Sequence, residues 1–471
     1  MAFRADIEGV RGIAVLLVVL FHAGIPYFTG GFVGVDVFFV LSGYLITRLL
    51  VDEAAATGRI DLVAFYARRA RRLLPAAALM IIVTLLFGWL VLAPITLRGL
   101  AASAGTAATY WSNLYFALSA GDYFGPDLAT NPFLHTWSLA VEEQFYLVWP
   151  LLVLFAVWLA KRWRPGLLAV LLAATLVSFA LNLWTTEHLR EWAFFSSPTR
   201  AWQFGAGAIA GLFSTRGVVS ASRWGGALGW LGLAALLASA VGLSEALPWP
   251  GYLALAPTLG TVLVLHSGVL APSARLQSLL ATVPLQFLGR LSYTWYLWHW
   301  PALVLSRAAL GPMTVPARLA VALASLGLSW VTYNLIEKPL RFHPRLLPAP
   351  RRSLVVMVTL SLLAAGAATA TRVFSVMSDR QERYLAAMDD ISSSSADGCN
   401  LSFTASEPAQ HCVYGVLDSS IDVVLIGDSH ATMWFPALEQ LARYRGWRLV
   451  VHAKSSCGLE DGPATRSNGA P

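Results

Sequence analysis

Charged residues and cysteines are both scarce in this chain. Of its 471 residues, 13% are charged and 57% are hydrophobic, and the mean hydropathy is +0.62. Soluble domains carry about a quarter charged residues, so this composition excludes a wholly soluble fold. The three cysteines lack paired short spacing and the histidines are scattered, so the sequence predicts no bound metal.

We also expect no cleavable signal peptide, because the first apolar run is long and contains Arg11.

Long apolar runs are abundant in the chain, and they predict eleven membrane-spanning helices. Their ranges are 12–28, 33–50, 74–94, 138–159, 166–184, 200–213, 226–243, 252–270, 286–308, 318–336 and 354–371. The sixth run is weak because it is short, and the ninth because it contains Arg290 and His299. The expected fold is an α-helical polytopic membrane protein with the lipid bilayer as its surroundings.

Basic residues are unevenly distributed between the segments that join these runs. If the N-terminus is cytoplasmic, the inner segments hold seventeen Lys and Arg residues, whereas the outer loops before residue 353 hold two, Arg98 and Arg190. This bias predicts a cytoplasmic N-terminus and, after an odd number of spans, a C-terminal region outside the cytoplasm. The pI of about 9.4 then reflects topology, and no nucleic-acid partner is needed to explain it.

The composition changes after residue 375. A polar stretch leads to a strand over 421–426, the tetrapeptide Gly-Asp-Ser-His at 427–430, a helix over 433–444 and a second strand over 447–452. A strand, a tight turn, a helix and a strand in this order begin a parallel α/β domain.

All three cysteines lie in this C-terminal region, which fits an oxidising compartment. We hypothesise that Cys399 pairs with Cys412. Cys457 is then free or pairs with another chain.

Two ionisable residues share one face of the first predicted helix. Eleven positions separate Arg11 from His22, which is about three turns and about 16 Å along the axis. A cation and an imidazole at membrane depth are normally found where a polar cavity crosses the bilayer. The alternative is an Arg side chain that extends to lipid headgroups and a His that is satisfied inside the bundle.

Asp36 lies at the start of the second predicted helix, where a carboxylate needs a partner. It shares a stripe with Val40, Gly43 and Thr47, so it faces the side on which small residues let another helix approach closely. It caps the helix N-terminus, acts beside His22, or does both.

Four arginines precede the third predicted span: Arg68, Arg69, Arg71 and Arg72. They form two overlapping Arg-x-x-Arg pairs, and residues three apart share a helix face. Each pair presents two guanidinium groups together, which suits bidentate phosphate binding. The alternative is a charge cluster that contacts anionic lipid.

The fourth predicted span places two carboxylates inside the membrane. His135 and Glu142 are seven residues apart and share a face, and Glu143 is adjacent. Ionised carboxylates at this depth are rarely without a role, so we expect at least one of them to be functional rather than a packing partner. His299 lies among aromatic residues, which favours a satisfied core residue.

Ser429 lies between a predicted strand and a predicted helix. Such a turn exposes the serine beside helix N-terminal amides that bind an oxyanion, which makes Ser429 a candidate catalytic nucleophile. A serine nucleophile needs a histidine base oriented by a carboxylate. His430 is adjacent to the serine and poorly placed for that task, and His452 lies in a predicted strand.

Six motifs occur in order along the membrane part of the chain. They are Arg11 with His22, GFVGVDVFFVLSGY at 31–44, Arg69 with Arg72, TWSLAVEEQFY at 136–146, YLWHWP at 296–301 and EKPLR at 337–341. Together they resemble the acyltransferase-3 family, bacterial inner-membrane enzymes that O-acylate cell-surface glycans. The Gly-Asp-Ser-His motif after the eleventh span resembles the subgroup fused to an SGNH-hydrolase domain, which includes O-antigen O-acetyltransferases that act on lipopolysaccharide.

The resemblance implies a domain organisation. It places a ten-helix acyltransferase-3 bundle at 1–345, a linker and the eleventh span at 346–375, a polar linker at 376–398 and the N-terminal part of a periplasmic α/β SGNH-like domain at 399–471. A complete SGNH domain ends with an Asp-x-x-His motif, and none follows Ser429. We therefore expect that the sequence is a fragment or that its SGNH part is incomplete and inert, and we assign no hydrolase activity to it.

The resemblance also implies a reaction, the transfer of an acyl group, expected to be acetyl, from cytoplasmic acyl-CoA to a glycan hydroxyl. His22 would be the catalytic base, or in a rival mechanism a transient acyl carrier, and Arg11 its motif partner. We expect Glu142 or Asp36 to orient or charge this site.

The acyl-CoA phosphates would bind at the cytoplasmic mouth. Arg69 and Arg72 would make these contacts, with Arg68 and Arg71 beside them. Two alternatives of other classes are a polytopic transporter or exporter of a glycan or lipid-linked sugar, and a membrane-tethered surface esterase. The second alternative needs the Asp-x-x-His motif.

Overall fold

The computed structural model describes residues 3–120, 128–162, 166–215, 224–272, 274–389, 392–401 and 412–454. The chain forms two compact units, Met1–Val376 and Met377–Pro471.

The first unit is helical. The helices in its described residues are α1 (Ala5–His22), α2 (Gly34–Thr57), α3 (Leu62–Val91), α4 (Pro94–Ala108), α5 (Ser112–Ser119), α6 (Thr136–Arg162), α7 (Gly166–His188), α8 (Arg190–Phe195), α9 (Ser197–Thr215), α10 (Gly225–Gly242), α11 (Leu255–Leu270), α12 (Arg275–Leu280), α13 (Val283–Leu310), α14 (Val315–Thr332), α15 (Lys338–Arg341) and α16 (Pro350–Phe374). Short 3-10 turns lie at Gly31–Val33, Leu128–Thr130 and Tyr252–Ala254, and a π-helical segment at Tyr333–Glu337 joins α14 to α15.

Each of the eleven predicted spans coincides with one of these helices. Eight helical segments among the described residues are long and apolar enough to cross a membrane, so the chain is a multi-pass membrane protein. The predicted spans outside those eight are α1, α9 and α13. These three helices carry Arg11, Arg200 and His299, and polar groups of this kind lower the hydropathy of a helix that faces the bundle interior.

The first helix is displaced from its predicted range of 12–28 and runs from Ala5 to His22. Its polar beginning is helical because Arg4 Nε donates to Asp6 Oδ1 at 2.7 Å, which neutralises the buried carboxylate. It ends early because Gly24 has a positive φ of 73°, a conformation that breaks the helix.

Helices α2 and α9 approach each other unusually closely. A Cβ on Gly43 would lie 1.9 Å from the carbonyl oxygen of Phe204, and a Cβ on Gly207 would lie 2.0 Å from that of Val40. Only glycine fits at either position without moving a backbone. The predicted stripe of Asp36 and Gly43 therefore faces a neighbouring helix, as expected.

The second unit contains α17 (Asp379–Asp389), α18 (Ser393–Ala396), α19 (Ser429–Thr432) and α20 (Phe435–Arg445), with strands β1 (Asn400–Leu401), β2 (Val413–Gly415), β3 (Asp422–Gly427) and β4 (Arg448–Lys454). Strand β4 is central. It pairs with β3 in parallel along one edge, and with antiparallel β2 and parallel β1 along the other.

This topology confirms the predicted strand, helix and parallel strand. Phe435 of α20 packs against Leu449 and Val451 of β4 in the core of the unit. The predicted disulfide is also present, because Cys399 and Cys412 are bonded with their Cα atoms 5.6 Å apart. Cys457 lies outside the described residues.

Candidate functional site

Three cavities follow one another along α1. We call them the inner cavity (about 430 Å³), beside Arg4 and Glu8 at the start of the helix, the central cavity (about 70 Å³) and the outer cavity (about 340 Å³), beside His22 at its end. Arg11 lines both the inner and the central cavity, and Tyr296 lines both the central and the outer cavity. Neighbouring cavities therefore share walls along the whole length of α1.

His22 lines the outer cavity and contacts a second histidine. Its Nδ1 lies 2.9 Å from Nε2 of His299. The other ring nitrogen of His299, Nδ1, lies 3.1 Å from the carbonyl oxygen of Trp295. A carbonyl only accepts, so Nδ1 of a neutral His299 carries its proton and Nε2 accepts from His22. The lone pair of His22 is then on Nε2.

The hydrogen-bond partner of His22 is therefore His299. Glu142 and Asp36, which we expected to orient or charge the site, make no hydrogen bond to His22 among the described residues. His299 is fully buried, as expected for a core residue, but it also fixes the tautomer of the candidate base. The two histidines are 277 residues apart, so no local sequence signal connects them.

Asp36 is buried against α9. Its Oδ1 accepts from Arg200 Nη2 at 2.9 Å and from the side-chain amide of Gln203. A buried ion pair needs this kind of additional hydrogen bond to offset desolvation. Arg200 lines the outer cavity, and its Nη1 has no hydrogen-bond partner among the described residues. Asp36 thus positions Arg200 and does not act on His22 directly.

Glu142 lines the central cavity and accepts hydrogen bonds from two hydroxyl groups, those of Ser42 and Tyr146. The guanidinium carbon of Arg69 lies 4.7 Å from the centre of the Tyr146 ring. His135, which precedes α6, lines the outer cavity and donates from Nε2 to the carbonyl oxygen of Leu297 at 3.1 Å. The predicted common face of His135 and Glu142 therefore lines two successive cavities.

The four clustered arginines on α3 divide into two pairs. Arg72 lines the inner and central cavities and Arg69 lines the central cavity. In the described part of the chain, no hydrogen bond or ion pair engages either guanidinium group. Both are therefore available to an anionic ligand.

Arg68 and Arg71 are engaged elsewhere, which corrects the sequence-based assignment of these two residues to ligand binding. Arg68 pairs with Glu53 at 3.1 Å on an exposed surface. Arg71 donates to Ser353 Oγ at 2.9 Å and so joins α3 to α16. Neither of them lines any of the three cavities.

Arg11 connects the inner and central cavities. Its Nη2 donates to Ser292 Oγ at 2.9 Å, and its Nη1 lies 3.3 Å from Glu8. Three further cations, none of them predicted to bind the donor, also line the inner cavity: Arg48, Arg290 and Arg341. They come from three different elements, so only the fold brings them together.

No group of three or more His, Cys, Asp or Glu side chains within the described ranges is arranged to hold a metal ion.

Ser429 begins α19 directly after β3, as predicted. Gly427 has a φ of 151°, and the Asp428 carboxylate caps the helix by accepting from the backbone N–H of His430 at 2.8 Å. This hydrogen bond is the main reason that the pKa of Asp428 is below its usual value. The His430 side chain is 78% exposed with Nδ1 3.3 Å from Asp428, and no described histidine hydrogen-bonds Ser429. Its role as a nucleophile remains a prediction.

The chain matches the family model described as "Acyltransferase domain" over residues 4–334. It belongs to the acyltransferase-3 family. A second model, "SGNH domain (fused to AT3 domains)", matches residues 397–469. Both matches confirm the resemblance drawn from the motifs.

Several curated relatives match this acyltransferase-3 chain. It is 32% identical over 359 residues to O-acetyltransferase OatA of Staphylococcus aureus (72% of this chain, 57% of the relative). It is 33% identical over 354 residues to a putative peptidoglycan O-acetyltransferase, YrhL, of Bacillus subtilis (71% and 54%). It is 31% identical over 353 residues to peptidoglycan O-acetyltransferase OatA of Listeria monocytogenes (71% and 55%). The matches thus span little more than half the length of these relatives, and no solved structure gives a significant match.

Proposed function

We propose that this chain transfers an acetyl group from acetyl-CoA to a hydroxyl group of a cell-wall glycan. The observation that carries the proposal is the placement of two unpaired guanidinium groups, Arg69 and Arg72, and the His22 imidazole in successive cavities along one helix. The names of two relatives favour peptidoglycan as the acceptor over O-antigen or another lipopolysaccharide.

The inner cavity suits the nucleotide end of the donor. Acetyl-CoA carries several phosphate groups, and guanidinium groups bind phosphate in bidentate geometry. The narrow central cavity has apolar walls such as Phe38, Leu41 and Leu139, which fit a thin pantetheine arm. The thioester at the end of that arm would then lie towards His22.

His22 supplies the base. Nε2 of His22 removes the proton from the glycan hydroxyl, whose oxygen attacks the thioester carbonyl. The ester C–O bond forms, the C–S bond breaks, and the proton passes from Nε2 to the leaving thiolate of coenzyme A. His299 holds His22 in the tautomer that this step needs, and the ion pair of Arg200 with Asp36 lies in the wall of the same cavity.

The rival mechanism uses the same lone pair as a nucleophile. Nε2 would attack the thioester, release coenzyme A and hold the acetyl group until a hydroxyl accepts it. Rapid quenching with labelled acetyl-CoA separates the two mechanisms, because only this one yields an acetylated protein.

The proposed orientation places the inner cavity at the cytoplasm and the outer cavity outside the bacterial inner membrane. It is supported by the excess of basic residues in the inner segments. In this arrangement the polyanionic donor stays in the cytoplasm and the acetyl group alone reaches the glycan. The second unit then lies outside the cytoplasm.

The test is acetyl transfer by the full chain in lipid nanodiscs. We expect release of coenzyme A that depends on added glycan, and a loss of roughly 100- to 10,000-fold in His22→Ala. His266→Ala is the matched control, because His266 lines none of the three cavities. Near-normal transfer by His22→Ala rejects both mechanisms, and glycan movement without coenzyme A release supports a transporter.

A further inference from the structure

The outer cavity extends beyond His22 and has aromatic walls. The Trp300 ring centre lies 4.6 Å from that of His22. The Phe32 and Trp249 rings meet edge to face with their centres 4.9 Å apart. Aromatic faces of this kind pack against the C–H face of a sugar ring, which is apolar while the ring edge is polar. The cavity therefore offers apolar aromatic walls next to the candidate base.

Two carboxylates lie in the same lining. Glu191 comes from α8 and Glu245 from the segment between α10 and α11. Both are exposed, and neither carboxylate has a hydrogen-bond or ion-pair partner in the part of the chain that the structure describes. Carboxylate oxygens accept hydrogen bonds and do not donate them, so they suit a ligand that presents hydroxyl groups.

The cations of this cavity are already engaged. Arg190 donates to the backbone carbonyls of Glu245, at 2.9 Å, and Leu247, and so fixes the segment that carries Glu245 to α8. Arg200 is paired with Asp36 and keeps one free donor, Nη1. Hydrogen bonds to neutral carbonyls leave the charge of Arg190 in place, whereas Asp36 balances that of Arg200. The lining therefore has two carboxylates against one uncompensated cation, and this excess of negative charge repels an anionic ligand.

We infer that the outer cavity is the acceptor subsite and that it selects an uncharged pyranose ring. The ring lies against Trp249 and Phe32, its hydroxyl groups donate to Glu191 and Glu245, and one hydroxyl faces Nε2 of His22. Acidic sugars are excluded by the same two carboxylates. The role of the outer cavity as an acceptor subsite rests on the proposed function. The predicted sugar binding does not depend on acetyl transfer and can be measured without it.

The experiment is calorimetric binding to the full chain in nanodiscs without donor. The neutral probe is a β-1,4-linked N-acetylglucosamine tetrasaccharide. The acidic probe is a tetragalacturonate, which carries a carboxylate on each sugar ring. We expect the neutral probe to bind at least about tenfold more tightly than the acidic one. Glu191→Gln/Glu245→Gln should reduce this preference at least about threefold, and because both side chains are exposed, the fold is retained.

Trp249→Ala should weaken the neutral probe by a similar factor. Trp230→Ala is its control, because Trp230 is 46% exposed on α10 and lines none of the three cavities. Equal affinity for the two probes, or an unchanged preference in the double glutamine variant, overturns the subsite. Selective binding without coenzyme A release would instead support the subsite and reject the transfer.

Discussion

At the scale of single residues, the contact between His22 and His299 determines which nitrogen carries the reactive lone pair. Their ring nitrogens are 2.9 Å apart, and the Trp295 carbonyl fixes the proton on the far side of His299. His299 is thus a positioning residue. In the proposed mechanism it touches the base, His22, and not the reacting atoms.

Replacement of His299 tests this role. In His299→Phe, the ring volume is kept but the acceptor for the His22 Nδ1 proton is lost, so we expect kcat to fall about 10- to 1,000-fold with little change in KM. His299→Gln, whose amide oxygen accepts a hydrogen bond, should recover part of kcat. Steady-state kinetics with His266→Phe as control measures both effects, and an unchanged kcat in His299→Phe contradicts the positioning role.

Arg72 and Arg68 provide a second matched pair of residues. In Arg72→Gln, the inner and central cavities lose an unpaired guanidinium group, and a charged hydrogen bond is worth about 1.5–3 kcal/mol. We therefore expect KM for acetyl-CoA to rise about 10- to 100-fold. Arg68→Gln removes an exposed pair with Glu53 and should change KM less than about twofold. A larger rise of KM in Arg68→Gln than in Arg72→Gln would place the donor site on the other face of α3.

The sequence predicted some of these residues and not others, for a geometric reason. Arg11 and His22 lie on one helix, so their spacing alone placed them on one face. The two overlapping Arg-x-x-Arg pairs have identical spacing, so spacing alone could not decide which pair faces the cavities, and only the family resemblance favoured Arg69 and Arg72. His299 was interpreted as a core residue because its partner is on another helix.

At the scale of helices, α2 and α9 are held together by glycines that let their backbones touch. This contact places Asp36 beside Arg200, and Arg200 in the wall of the outer cavity. The stripe was visible in the sequence, but the identity of the facing helix was not, because α9 is more than 100 residues away along the chain.

A pair of Gly→Ala substitutions tests the contact. Gly207→Ala puts a methyl group 2.0 Å from a carbonyl oxygen and should destabilise the bundle by about 1–3 kcal/mol. Gly327→Ala, on α14, meets nothing within 4 Å and should be neutral or stabilise by up to about 1 kcal/mol. Thermal unfolding in detergent compares the two, and equal Tm values would show that α2 and α9 are further apart than described.

The helices themselves were predictable from apolar runs, and their ends were less so. Helix α1 begins seven residues before its predicted start, because a salt bridge between Arg4 and Asp6 makes a polar segment compatible with burial. Helices α4 and α5 lie in a predicted outer loop. They are shorter than a membrane span, so the search for long apolar runs did not predict them.

At the scale of the whole molecule, the three cavities lie in a row between two ends of the bundle, which we propose to be on opposite sides of the membrane. Arg59 lies in the segment between α2 and α3, and Ala246 in the segment between α10 and α11. Both are exposed. In whole cells, a membrane-impermeant maleimide should label Ala246→Cys and not Arg59→Cys, each compared with the parent chain. The reverse labelling pattern would invert the proposed orientation.

Transfer across a sealed membrane tests whether the acetyl group alone crosses the bilayer. Inverted vesicles that contain the full chain enclose the glycan, and labelled acetyl-CoA is supplied outside. We expect labelled acetyl on the enclosed glycan, coenzyme A released outside, and loss of both in His22→Ala. Labelling only after the vesicles are opened, or only of glycan on the same side as the donor, would contradict it.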